Sequence, residues 1–176
     1  VSPHEECAVE AAVQLVEQHG GEVTVLTLGP AEAEEQLRTA VSVGAAKAVL
    51  VPIDGQDWDP QRTASAIASV VKDLESANGS FDLILFGNES ADSCGYQVGV
   101  RAALKLARPM VNGAKGIEID GTSAKIRRES DAGQDIYVLP MPAAVGVKEG
   151  INLPRYPTMK GRLASKQVDI SRSETT

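Results

Sequence analysis

The sequence has 176 residues, 43% hydrophobic and 23% charged, which suits one globular domain with a sizeable core and leaves little room for two. Its formal net charge is −7 and its pI about 4.9, and no dense Lys/Arg cluster offsets this, which argues against nucleic-acid binding. No apolar stretch is long enough to cross a bilayer, so we expect neither membrane insertion nor a secretory leader.

Ser2, Pro3 and Glu5 open a helix over "SPHEECAVEAAVQLVEQHGG": Ser2 and Glu5 have capping-box spacing, and Pro3 suits the first turn. Ala8, Val9, Ala12, Val13 and Val16 share one apolar face, and Gly20 ends the helix. "EVTVLTLG" follows as an apolar strand, then a helix over "PAEAEEQLRTAVSVGA", then the strand "AVLVPI". Asp59 and Pro60 start a third helix that stops at Asn78-Gly79. "DLILFG" is a third strand and "QVGVRAALKLA" a fourth helix. Strands apolar throughout, alternating with helices, predict a parallel sheet covered on both faces. Beyond Pro109 the pattern changes. "KGIEIDGTSAKIRRE" reads as a hairpin about Asp120-Gly121, and "DIYVLPMPAAVGV" as further extended chain. The expected fold class is α/β, a three-layer parallel sheet with a small antiparallel extension. A single domain over 1–170 and a loose tail over 171–176 are expected.

Cys7 and Cys94 lack CxxC or Cys/His spacing, so reduced thiols and a cytosolic setting are expected. His4 and His19 flank the first helix without a nucleophile or ligand partner and read as solvated. No triad, carboxylate dyad or metal cage is legible. "LILFGNESADSCGYQVG" places Gly87 at a strand end, then polar residues, then a helix N-terminus. In open parallel sheets such a loop is where ligands bind, and the unpaired N–H groups of the helix attract phosphate. Ser90, Ser93, Tyr96 and Gln97 add side-chain donors. A loop merely capped by Asp92 or Ser93 fits the residues equally well. Neither GxGxxG nor GxxxxGK[ST] is present, and the paired glycines of the ATP-pyrophosphatase SGGxDS loop are missing.

"PHEECAVEAAVQL", "TVLTLGPAEAEEQLRTAVSVGA", "DLILFGNESADS", "IRRESDAGQDIYVLPMPAAV" and "INLPRYPTMKG" occur in the order found in the β subunit of electron transfer flavoprotein. The chain resembles that family from residue 1 to about 170, most specifically from Ile126 to Val145 and at "NLPRYP". The resemblance implies a Rossmann-like adenine-nucleotide-binding fold and an electron-carrier subunit rather than an enzyme. The implied partner is an α subunit holding most of the FAD. Flavin dehydrogenases such as acyl-CoA dehydrogenases are the implied donors and a quinone oxidoreductase the implied acceptor. A bacterial cytoplasm is implied, or the mitochondrial matrix in a eukaryote.

The resemblance also assigns sites. The cofactor loop is Gly87, Ser90, Ala91, Asp92, Ser93, Tyr96, Gln97, Val98 and Gly99, holding AMP or the AMP moiety of a second FAD. Val98 replaces a usual threonine, which brings the loop closer to the electron-bifurcating form. Ser2 replaces a usual Asn, Ala132 a Gly and Asp135 a Glu. Arg128 and Glu129 are implied to face the flavin, with Glu129 pairing with an α-subunit arginine. The bland alternative is a surface charge pair on the hairpin. Asn152, Pro154, Arg155, Tyr156 and Met159 align with the partner-docking loop, Met159 standing at its apolar anchor unless it packs into the core. The family's first strand and part of its C-terminal arm are expected to be missing, and the N-terminus to be trimmed. A stand-alone nucleotide sensor of the universal-stress type shares the sheet but has no need of the hairpin or of "NLPRYP".

Overall fold

The computed structural model describes residues 1–53, 58–89 and 95–174. In chain order the elements are α1 (Pro3–His19), β1 (Thr24–Gly29), α2 (Glu34–Ser42, entered through a 3-10 turn at Ala31–Ala33), β2 (Lys47–Pro52), α3 (Pro60–Asn78), β3 (Leu83–Gly87), α4 (Gln97–Lys105), β4 (Met110–Asp120), β5 (Ser123–Ser130), β6 (Gly133–Pro140), β7 (Ala143–Val147), α5 (Met159–Ser165) and β8 (Ile170–Arg172). The class is α/β, as expected. The helix starts follow the local chemistry. Ser2 Oγ accepts from Glu5 N at 3.2 Å while Glu5 Oε2 accepts from Ser2 N at 2.7 Å, a reciprocal capping box. Asp59 Oδ1 accepts from Gln61 N and Arg62 N at 2.8 and 2.9 Å, with Pro60 in the first turn of α3.

The chain packs as two compact units. One comprises Val1–Ala8 and Asp59–Leu153, the other Val9–Trp58 and Pro154–Thr176. In the first, five strands take the order β3-β7-β4-β5-β6. β3, β7 and the first part of β4 run parallel, and β4, β5 and β6 form an antiparallel meander. The antiparallel extension is continuous with the parallel strands, because β4 belongs to both parts, with two register shifts where they meet. β7 differs most from the sequence expectation. Read as a continuation of extended chain, it instead inserts between β3 and β4 and is buried at all five positions. Its residues, AAVGV, have no polar alternation, which is the pattern of a strand covered on both faces. The core joins Val145 and Val147 to Ala114, Ala124 and Ile126, with Cys7 and Ala8 from α1. Cys7 is a free buried thiol. A buried clasp holds the end of α3: Arg108 pairs with Glu75 and donates to Phe81 O at 2.7 Å.

In the second unit β1, β2 and β8 form a parallel sheet in that order. Val13, Leu37, Val41, Ala48, Leu50 and Ile170 share its core. The helix α5 and the strand β8 are short and lack an apolar period, so the sequence did not announce them. Gly161 lets α5 approach α2, since a Cβ there would lie 2.2 Å from Ser42 O. Arg38 Nη1 reaches Ser165 O at 2.7 Å and Val168 O at 3.2 Å, satisfying carbonyls at the end of α5.

Candidate functional site

β3 and β7 end together, with Gly87 opposite Val147. Beyond a parallel strand's carboxyl end the backbone leaves the sheet and opens space for a ligand. A cleft of about 310 Å³ lies there, lined by Asn88, Glu89, Tyr96, Asn112, Gly113, Arg128, Glu129 and Lys148. Each wall has a local cause. A Cβ at Gly87 would lie 2.8 Å from Glu5 Cγ, so only glycine lets the first turn of α1 cover the strand end. Asn88 N donates to Val147 O at 2.9 Å, and its Oδ1 accepts from Gly113 N at 2.7 Å. Gly113 has φ +74°, a left-handed conformation that suits glycine, within the irregular stretch of β4.

Both signs of charge face the cleft. Arg128 lies 3.9 Å from Asp135, its guanidinium carbon 5.7 Å from the centre of the Tyr137 ring. Glu129 is exposed and stands opposite Gln134 on β6. Glu89 meets His4 Nε2 at 3.1 Å, and His4 Nδ1 accepts from Glu149 N at 2.9 Å. His4 is thus half-enclosed and bonded on both nitrogens rather than solvated, because the tight seat of α1 on Gly87 carries its ring onto the cleft rim. Two cations, two carboxylates and the amides of Asn88 and Asn112 can orient a polar ligand that both donates and accepts. Among the described residues no cluster of acidic, His or Cys side chains could hold a metal ion, and no helix is long and apolar enough to cross a membrane.

The site residues read from sequence are distributed unevenly. Tyr96, Arg128 and Glu129, from the loop and the hairpin, meet in one cleft. Gly87 and Gly99 sit in tight backbone packing: a Cβ at Gly99 would lie 3.0 Å from Met110 Cε and 3.1 Å from Phe86 Cγ. Gln97 Oε1 accepts from Arg101 at 3.1 and 3.2 Å, and Val98 is half-buried on α4. Ser90, Ala91, Asp92 and Ser93 lie outside the described residues, as does Cys94. Sequence reasoning missed Asn88, Glu89, Asn112, Gly113 and Lys148. Asn88 and Lys148 each directly follow a parallel strand, and that position was the available signal.

The docking-loop residues also separate. Asn152 Nδ2 donates to Cys7 O at 3.0 Å. In the second unit, Arg155 is gripped by Glu10 and Glu17 of α1. Burial pushes the Glu10 carboxyl up, but hydrogen bonds and charge from Arg155, with a bond from Gln14, outweigh it and hold the group below the usual range. The Arg155 hydrogen bond likewise holds Glu17 low, and the two carboxylates raise Arg155. Tyr156 and Met159 are 92% and 75% exposed, so Met159 is not a core residue. Leu163, one turn beyond Met159 on α5, is exposed as well.

Comparison with known proteins gives a consistent result. Residues 1–176 match the model of the electron transfer flavoprotein domain family. The electron transfer flavoprotein subunit beta of Bacillus subtilis is 35% identical over 176 residues, covering 99% of this chain and 66% of that protein. The subunit beta of Mycobacterium tuberculosis is 36% identical over 172 residues, covering 94% and 63%. That of Syntrophomonas wolfei is 34% identical over 172 residues, covering 97% and 66%. The chain thus spans just under two thirds of the length of these curated relatives.

Proposed function

The chain belongs to the electron transfer flavoprotein domain family, and from that membership we propose that it is the β-type subunit of a two-subunit electron carrier, itself no catalyst. The observation that carries this reading is the one cleft that brings Tyr96 of the Gly87–Gly99 loop together with Arg128 and Glu129 of the hairpin. One group of residues binds a nucleotide, and the other turns toward a flavin held by the partner. The flavin, when bound, supplies the electron chemistry. This chain's residues position it and shape its electrostatic surroundings.

A volume of about 310 Å³ is at the small end for ligand pockets, enough for a mononucleotide or part of a dinucleotide but small for a whole FAD. In this reading the loop from Gly87 to Gly99 takes AMP, or the AMP moiety of a second FAD, and most of the catalytic FAD lies on the α subunit. Glu129, exposed and without an opposite charge across the hairpin, is available to an arginine of that subunit. Arg155 fixes the docking loop against α1, while Tyr156 and Met159 present its apolar contacts to flavin dehydrogenases such as acyl-CoA dehydrogenases. A quinone oxidoreductase takes the electrons onward. We place the carrier in a bacterial cytoplasm, as the matched relatives are bacterial.

Chromatography of the small molecules released by heating the purified subunit pair tests the nucleotide assignment. AMP, or FAD in excess of one per pair, is expected. Release of neither would remove the nucleotide from this chain.

A further inference from the structure

Asn88 is a buried polar side chain in the cleft wall. It is only 8% exposed. Its backbone N–H ties the end of β3 to Val147 O, and its side-chain oxygen receives the Gly113 N–H at 2.7 Å. That bond crosses from the strand end to the irregular part of β4, where the register shifts between Val111 and Ala114 against β7 and between Ala114 and Gly116 against β5. Gly113, at φ +74°, is the residue over which Arg128 lies. A Cβ on it would stand 3.3 and 3.4 Å from Arg128 Cδ and Cγ, ordinary to tight packing distance. The stem of Arg128 thus rests on the surface that Asn88 holds down, and its guanidinium is carried to the Tyr137 ring and toward Asp135.

We infer that Asn88 is a positioning residue for Arg128, acting through the Gly113 bulge to fix where the guanidinium stands in the cleft. A solvent-exposed arginine samples many rotamers. Here the bulge removes some of that freedom without touching the charged group. Because Asn88 follows Gly87 directly, it also joins the nucleotide loop's first residue to the hairpin, so the two halves of the cleft share one fixed point. The functional weight of the inference rests on the reading that Arg128 faces a flavin, but the mechanical claim does not.

The test uses Asn88→Leu, which loses the acceptor, and Asn88→Asp, which keeps it. Two readouts in the full chain decide the claim: hydrogen exchange at the Gly113 amide and the NMR shift of the Arg128 side-chain Nε–H. Asn88→Leu should speed Gly113 exchange roughly tenfold, about what loss of one buried hydrogen bond gives, and should move the Arg128 signal toward its random-coil position. Asn88→Asp should restore both. An Arg128 signal unmoved in Asn88→Leu, or moved equally in Asn88→Asp, would overturn the claim. Electron-transfer rates of the subunit pair test the reading separately. Asn88→Leu should add no further loss to Arg128→Ala, and an Arg128→Ala variant at full rate would count against a flavin-facing cleft while leaving the positioning result standing.

Discussion

Arg155 lies fork-on on Glu10, its Nε 3.0 Å from Oε2 and its Nη2 3.0 Å from Oε1. Nη1 and Nη2 also reach Glu17 at 2.6 and 2.9 Å. Glu10 is nearly enclosed, so truncating the arginine would leave a buried carboxylate without its cation. Arg155 itself is partly exposed, and solvent screening reduces the loss. Arg155→Ala should therefore cost about 2 kcal/mol, and Arg155→Lys somewhat less, because one ammonium cannot reproduce the fork. At roughly 2–4 °C per kcal/mol for a chain of this size, calorimetry should show Arg155→Ala melting about 4–8 °C lower. An unchanged melting temperature would mean that the clasp is solvent-equivalent.

The same carboxylates set an acid limit. Glu10, Glu17 and Glu34 all sit below the ordinary carboxyl value of 4.5, Glu34 through its hydrogen bond from Arg38. A depressed native pKa means that the unfolded state binds protons first. The stabilisation is thus complete above about pH 4.5 and is lost as pH falls through the lower native values. Melting temperature should hold from pH 7 to about pH 5 and drop below that. Glu10→Gln should melt lower at pH 7 and show a shallower acid decline. A wild-type melting temperature that rose on acidification would contradict the assignment.

Met159 separates docking from packing. At 75% exposure its truncation should leave stability within about 0.5 kcal/mol. As an anchor in a partner's pocket it should contribute about 2 kcal/mol, so Met159→Ala should weaken dehydrogenase binding roughly thirtyfold. Pro154 and Pro157 restrict the loop and lower the cost of ordering it. Titration calorimetry with the donor dehydrogenase reads the affinity. Unchanged affinity would place the anchor elsewhere, with Tyr156 and Leu163 the next residues to truncate.

Glu129 is exposed, so Glu129→Ala should fold and melt like the parent. If it pairs with an arginine beside the flavin, stopped-flow flavin reduction should slow roughly tenfold, the factor that about 1.4 kcal/mol gives. An unchanged rate would return Glu129 to the solvated face of the hairpin.

Local chemistry made most of the fold readable. The Ser2–Glu5 box, the Asp59 cap and the Asp120-Gly121 turn each formed as their residue types require. What the sequence hid was long-range order. Nothing local says that Ala143–Val147 returns between β3 and β4, because a buried parallel strand is defined by neighbours remote in sequence. The site was half legible for the same reason. Tyr96, Arg128 and Glu129 stood out as chemical types, whereas Asn112 and Lys148 enter the cleft only because β7 ends beside β3 and the irregular stretch of β4 runs next to β7. His4 looked solvated because its partners, Glu89 and Glu149, are distant in the chain.

The claim that this chain is half of a flavin-based electron carrier is tested most directly by the visible spectrum of the chain purified with its co-purifying subunit. A larger subunit and a yellow flavin band should accompany it, and the band should bleach when a flavin dehydrogenase and its substrate are added. A colourless preparation of the intact pair, or a band that no reduced donor bleaches, would contradict the account.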